Sequence, residues 1–238
     1  MKSIFHPATS RGHVNFGWLD SYHSFSFGRY YDPERVQFGA LRVLNDDTVS
    51  PGMGFGTHPH ENMEIVSIPL SGDLEHKDSM GNTGVIREGD VQVMSAGTGI
   101  KHSEYNKNKD QEVKFLQIWI IPERTNVTPR YDQLRLEPAR QKNQWQQIIS
   151  PDPETEGTWI HQQSWFQMAN LENGTALEYV LHQKNNGAYL FLLEGALEVA
   201  GKNMDKRDGL GVWDTDKISM KAKGQAKILL IEVPMSIN

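Results

Sequence analysis

Among its 238 residues the sequence has no cysteine. That absence removes disulfides, thiolate zinc sites and cysteine nucleophiles together, and suits a reducing cytosol. Long apolar runs are also missing: none approaches the ~20 residues that a membrane helix needs. The opening Met1-Lys2-Ser3-Ile4-Phe5-His6-Pro7 carries no apolar stretch of the secretory type. A cytoplasmic protein with no membrane contact is therefore expected, and the sequons at Asn126 and Asn173 are read as chance. Basic clusters are scarce as well. The net charge is −6, from 24 basic and 30 acidic residues, and the loose lysines of 101–114 and 202–207 are not interleaved with aromatics. No nucleic-acid partner is expected.

What the chain does have is two short strings rich in metal-capable side chains, Gly54-Phe55-Gly56-Thr57-His58-Pro59-His60 and Gly97-Thr98-Gly99-Ile100-Lys101-His102-Ser103-Glu104. Each holds two such residues at i and i+2. Side chains alternate faces along a strand, so i and i+2 point the same way. Nine histidines would make about 0.3 His-x-His pairs by chance, so one pair alone carries little. The second pair, behind its own Gly-rich turn, changes the weight. If the two segments are neighbouring strands, His58, His60, His102 and Glu104 converge on one point, and three imidazoles with one carboxylate suit a divalent transition metal. One ion per chain is expected. Fe(II) is the first choice, because open N/O sites serve dioxygen chemistry, with Mn, Co, Ni, Cu or Zn also compatible.

The dominant period elsewhere is two. Residues 38–44, 64–70, 113–121, 188–193 and 226–233 read as buried strands, with Gly turns such as Ser71-Gly72-Asp73 and Leu193-Glu194-Gly195 between them. Short strands broken by glycine about every ten residues predict an all-β jelly roll. Leu70-Ser71-Gly72-Asp73-Leu74-Glu75 is echoed by Leu193-Glu194-Gly195-Ala196-Leu197-Glu198. The proline-bearing stretch 122–158 between the halves predicts a connector with at most one short helix near 139–148. Two tandem barrels follow: 1–130 with the metal site, and 131–238, which has no second His-x-His and is assigned a structural role.

Several further residues are candidates. Glu64 lies four after His60, on the same side of a continuous strand, and could be a fifth ligand, an acceptor for a ligand imidazole's N–H, or a base. Asn106 either orients Glu104 or forms a turn. His23, Phe25 and Phe27 are expected on one strand face, in the core or lining a pocket. Phe55 and Trp119 either pack in the core or flank a flat ligand, and His13 and His76 are expected at the surface.

The spacing around both strings resembles the two cupin signatures. Gly52 stands six before His58, Glu64 four after His60 and Gly72 eight after Glu64, while Gly89, Gly97, His102 and Asn106 follow in the second. The general cupin pattern has a proline where Ser95 stands, a shorter Gly-to-His step and its carboxylate at the Glu64 position. These departures resemble the pirin family. So do Arg11-Gly12-His13, Gly17-Trp18-Leu19-Asp20-Ser21, His23-Ser24-Phe25-Ser26-Phe27, Tyr30-Tyr31-Asp32-Pro33, Met63-Glu64-Ile65, His102-Ser103-Glu104-Tyr105-Asn106 and Gln117-Ile118-Trp119-Ile120. The resemblance implies two tandem cupin-type β-barrels, a bicupin, with His58, His60, His102 and Glu104 as the ligand set. Within the family the chain looks most like bacterial pirin-like quercetin 2,3-dioxygenases. That implies cleavage of a flavonol heterocycle by O2 with release of CO, quercetin or a related phenolic as substrate, and Glu104 or Glu64 taking the hydroxyl proton. A monomer is expected. The resemblance also implies an alternative, because eukaryotic pirins are metal-dependent co-regulators that bind transcription-factor complexes without turnover. The chain's lack of a basic nuclear-targeting run argues mildly against it.

Overall fold

The computed structural model describes residues 1–237. The period-two segments form strands, and among the described residues the only helical turns are the 3-10 pieces Ala8–Ser10 and Pro138–Gln141. The first barrel pairs a small sheet with a large one. The small sheet has the order Gly54–His60, Ile100–Asn106, Asp73–Asp78, Thr83–Arg87. The large one runs Arg130–Arg135, Asp90–Ser95, Glu64–Ser71, Val113–Ile120, Leu41–Val49, Leu19–His23, Gly12–Asn15.

The second barrel repeats this order. Its small sheet is Ala176–Val180, Lys217–Ala222, Ala196–Val199, Lys202–Asp205. Its large sheet is Lys2–His6, Gly209–Trp213, Asn186–Glu194, Ala226–Pro234, Trp165–Leu171, Gln146–Ser150, Thr158–Trp159. The internal echo thus marks equivalent strand–turn–strand corners, with Gly72 at φ 76° and Gly195 at φ 88°. Both need the left-handed backbone that glycine adopts without steric cost.

The barrels exchange chain at their edges. Lys2–His6 pairs with Gly209–Trp213 of the second half, in the place that Arg130–Arg135 takes beside Asp90–Ser95 in the first. The first sheet therefore runs past residue 130, and the second begins with residue 2. Nor is the proline-bearing stretch merely a connector. It holds Arg130–Arg135, Gln146–Ser150 and Thr158–Trp159, and its helical turn lies at Pro138–Gln141, at the start of the expected 139–148.

The two large sheets stack back to back, which explains their continuous apolar runs. Val66, Ile68, Leu116 and Ile118 from one half meet Phe166, Phe191, Leu229 and Ile231 from the other in a single buried cluster. The barrel interiors differ. That of the second is one apolar cluster including Leu190, Leu192, Ile218 and Met220. In the first, the apolar interior is split into two small clusters, around Phe115 and around Met94. Its buried polar residues include Asn45, Asp47, Ser67, Gln92, His102, Glu104 and Gln117. A polar interior is costly unless hydrogen bonds or a ligand compensate it.

Candidate metal centre

The two sequence strings are neighbouring antiparallel strands, with His102 opposite His58 and Ile100 opposite His60. Alternation then turns three imidazoles to one side. Ring centroids lie 4.5 Å apart for His58 and His102, and 4.8 Å apart for each of the other two pairs. One donor atom from each of the three lies within 4.8 Å of the others. The His58 Nδ1–H donates to the Gly56 carbonyl at 2.7 Å, which leaves Nε2 with its lone pair free.

Glu104 is displaced from this trio. The pairing shifts register between His102 and Glu104, so Glu104 stands opposite Phe55 on one side and His76 on the other. Its carboxyl groups with His102 and His76, again within 4.8 Å. Ser67 Oγ donates to Oε1 at 2.9 Å and Gln117 Nε2 to Oε2 at 2.7 Å. The expected foursome is therefore two triads that overlap at His102.

Burial sets the charge states. It lowers His102 to about 2 and His60 to about 4, reinforced in each case by neighbouring histidines. Both rings are thus neutral, with lone pairs to offer. Burial pushes Glu104 up to about 7 against the opposing hydrogen bonds of Ser67 and Gln117. Both nitrogens of His102 are buried without a hydrogen-bond partner. Orphaned imidazole nitrogens beside a buried carboxylate with no side-chain cation on it are what a divalent ion would satisfy, so the donor set fits a metal.

Glu64 does not join the site. Asn62, at φ 47°, breaks the chain between His60 and Glu64, which lie on separate strands. Glu64 shares its strand face with Val66 and Ile68, toward the seam between the barrels. There Ser95 Oγ donates to Oε2 at 2.7 Å. Burial pushes Glu64 up to about 7, opposed by Ser95, the His161 backbone and the Arg130 charge. The expected acceptor, ligand or base role at the metal therefore has no geometric basis.

Asn106 ties a turn, donating to the carbonyls of Val49 at 3.0 Å and Gln111 at 2.8 Å. Phe25 and Phe27 part company: Phe25 packs on Tyr189 in the seam, and Phe27 stands edge-on to Trp119 at 5.2 Å. Trp119 in turn meets His60 at 5.0 Å, forming an aromatic wall beside the trio. Phe55 packs on Trp18 instead. His13 is exposed as expected, but His76 is wholly buried. Sequence reading missed His76 and its partner Asp78, although His76-x-Asp78 repeats the i, i+2 spacing of the other two strings.

A cleft of about 580 Å³ opens beside the trio, bounded by Pro59, His60, Ser79, Ile100 and Lys101. A larger cleft, about 700 Å³, lies elsewhere, against Arg87, Asp90 and Arg135, and contains none of the histidines. Chemistry favours the smaller one. In the second barrel, Tyr179, Ile218 and Met220 on the equivalent strands are buried in its apolar cluster.

Two tandem barrels define a bicupin, whose first half carries a histidine cluster that fits a divalent metal. Residues 5–120 match the Pirin family model, and residues 147–233 match that of the quercetinase C-terminal cupin domain. The chain is 41% identical over 228 residues to the quercetin 2,3-dioxygenase of Escherichia coli strain K12, covering 95% of this chain and 96% of that one. It is 35% identical to a pirin-like protein of Caulobacter vibrioides, covering 95% and 97%. The crystal structure of the E. coli bacterial pirin YhhW in complex with nickel(II) superposes with a TM-score of 0.93 at 39% identity, covering 99% and 100%. The chain belongs to the pirin family. Among the described residues no helix is long and apolar enough to cross a membrane.

Proposed function

We propose that the protein is a metal-dependent quercetin 2,3-dioxygenase, opening the heterocycle of a flavonol with O2 and releasing CO. The observation that carries this reading is the His58–His60–His102 trio beside a cleft, in a chain 41% identical to an enzyme of that name. His58, His60, His102 and Glu104 are the proposed ligands. Fe(II) is the proposed ion, and the nickel(II) complex of the E. coli relative supports a divalent ion in this fold. When bound, the ion supplies Lewis acidity that lowers the pKa of an aromatic hydroxyl.

The chain's own residues do the rest. The Gly56 carbonyl fixes the tautomer of His58 and so aims Nε2. Ser67 and Gln117 clamp the Glu104 carboxylate, which in this proposal also accepts the hydroxyl proton. Trp119, with Phe27 edge-on to it, offers an aromatic surface for a flat ring. Glu64, turned to the seam, is not assigned a part in proton transfer.

The test is a quercetin assay on fully metallated protein with O2 uptake and CO followed together. One O2 consumed and one CO released per quercetin lost is the expected result. No quercetin loss above a metal-only blank would reject the enzyme and favour a binding module whose surface responds to the metal.

A further inference from the structure

His76 has no part in the reading above, yet it is the most completely buried histidine beside the site, with no exposed surface. It stands directly opposite Glu104 in the pairing of Asp73–Asp78 with Ile100–Asn106, and its ring lies 5.3 Å from that of His102. Tyr131 covers its far side at 4.8 Å. We propose that His76, oriented by Asp78, gives the barrel a second, inner cation position made of His76, His102 and Glu104. It rests on the metal-centre reading above and deepens it.

The argument begins at Asp78. Its Oδ1 accepts the backbone N–H groups of Met80 and Asn82, at 2.9 and 3.0 Å, and Oδ2 accepts Asn82 Nδ2 at 2.8 Å. Both oxygens are thus taken by N–H donors, the setting of an ionised carboxylate. An ionised carboxylate only accepts, so the contact of His76 Nε2 with Asp78 Oδ2 at 3.2 Å is an N–H donation. In the neutral ring the other nitrogen, Nδ1, carries the lone pair. It is buried and bonded to nothing among the described residues.

A lone pair aimed into a closed site, with a carboxylate behind the ring, is the arrangement that metal-binding histidines adopt. The donor atoms of His76, His102 and Glu104 lie within 4.8 Å of one another. Three donors each about 2.1 Å from a common ion stand at most about 3.6 Å from one another, so closing the triad takes shifts of up to about 0.7 Å per donor. A neutral imidazole has one lone pair, so the two positions, which share His102 and Glu104, hold a single ion alternately.

Nickel(II) titration calorimetry on three folded proteins tests this: the unaltered chain, His58→Ala/His60→Ala, and the same double variant with His76→Ala added. The unaltered chain should bind one ion. The double variant should still bind one, weakened more than about 100-fold, and the triple variant none. A double variant that binds no nickel, or a triple variant that binds as well as the double, overturns the inner position. If the unaltered chain binds none, the metal centre itself fails, which is a separate outcome. Should the triple variant not fold, pulsed EPR of the copper(II)-loaded double variant decides. Two coordinated imidazoles are expected, and one or none overturns the proposal.

Discussion

Gln117 Nε2 donates to Glu104 Oε2 at 2.7 Å inside the first barrel, joining the large sheet to the small one at the proposed metal centre. The carboxylate is thus aimed by a neutral amide and by Ser67, with no cation to hold its charge. Replacing Gln117 by Leu should weaken metal binding or turnover by ~10–100-fold, as loss of a supporting hydrogen bond does. Glu104→Gln removes the proposed anionic ligand and should cost more than that. Metal content and turnover of the two variants decide, and equal losses would deny Glu104 a direct bond to the ion.

The trio itself is open to a simpler test. His58→Ala/His102→Ala should lose its stoichiometric metal yet keep its thermal unfolding transition, because the apolar clusters around Phe115 and Met94 are untouched. Full metal retention measured by elemental analysis would place the ion elsewhere.

Glu64 should respond to pH, not to metal. Its carboxyl titrates at about 7 in the fold against an ordinary 4.5. A group held protonated by folding contributes stability that is full below its unfolded pKa and is lost as pH rises through the folded one. Relative to Glu64→Gln, the unaltered protein should therefore lose up to about 3 kcal/mol of stability on going from acid to about pH 8, at 1.36 kcal/mol per unit. Metal content should be the same in both. A stability difference independent of pH in denaturant titrations would contradict the seam placement.

Gly54 tests how closely the two ligand strands are pressed together. A Cβ there would run into the Glu104 carbonyl oxygen and the Tyr105 backbone. Gly54→Ala should cost about 1–3 kcal/mol, as overpacking does, and also weaken metal binding by prising Gly54–His60 from Ile100–Asn106. A variant of unaltered metal affinity would show that the pairing absorbs the methyl group.

Much of this was legible in the chain. His58, His60 and His102 obey strict alternation, and alternation survives folding wherever a strand is regular. The second barrel was legible through its repeated Gly turn. Glu64 was misread because the left-handed turn at Asn62, which asparagine tolerates better than most residues, resets which face the next strand shows. Phe25 and Phe27 were misread for a related reason: the strand Leu19–His23 ends before them, so alternation no longer applies. In the proline-bearing stretch, Pro129 and Pro138 bracket the strand Arg130–Arg135 instead of forbidding it. His76 was overlooked because its partner is an aspartate and its burial comes from tertiary packing alone.

The exchanged edge strand has a consequence for how the molecule is made. Phe5 pairs with Leu210, so the strand Lys2–His6 is synthesised about two hundred residues before its partner. At roughly 5–20 residues per second it waits on the order of 10–40 s with its edge bare, while the first barrel can already close around its histidines. The strands that carry the histidine trio are all made before that partner strand, and closing the second sheet must recover the oldest part of the chain. A bulky fusion placed close ahead of Lys2 would burden that final step and leave the histidine trio untouched.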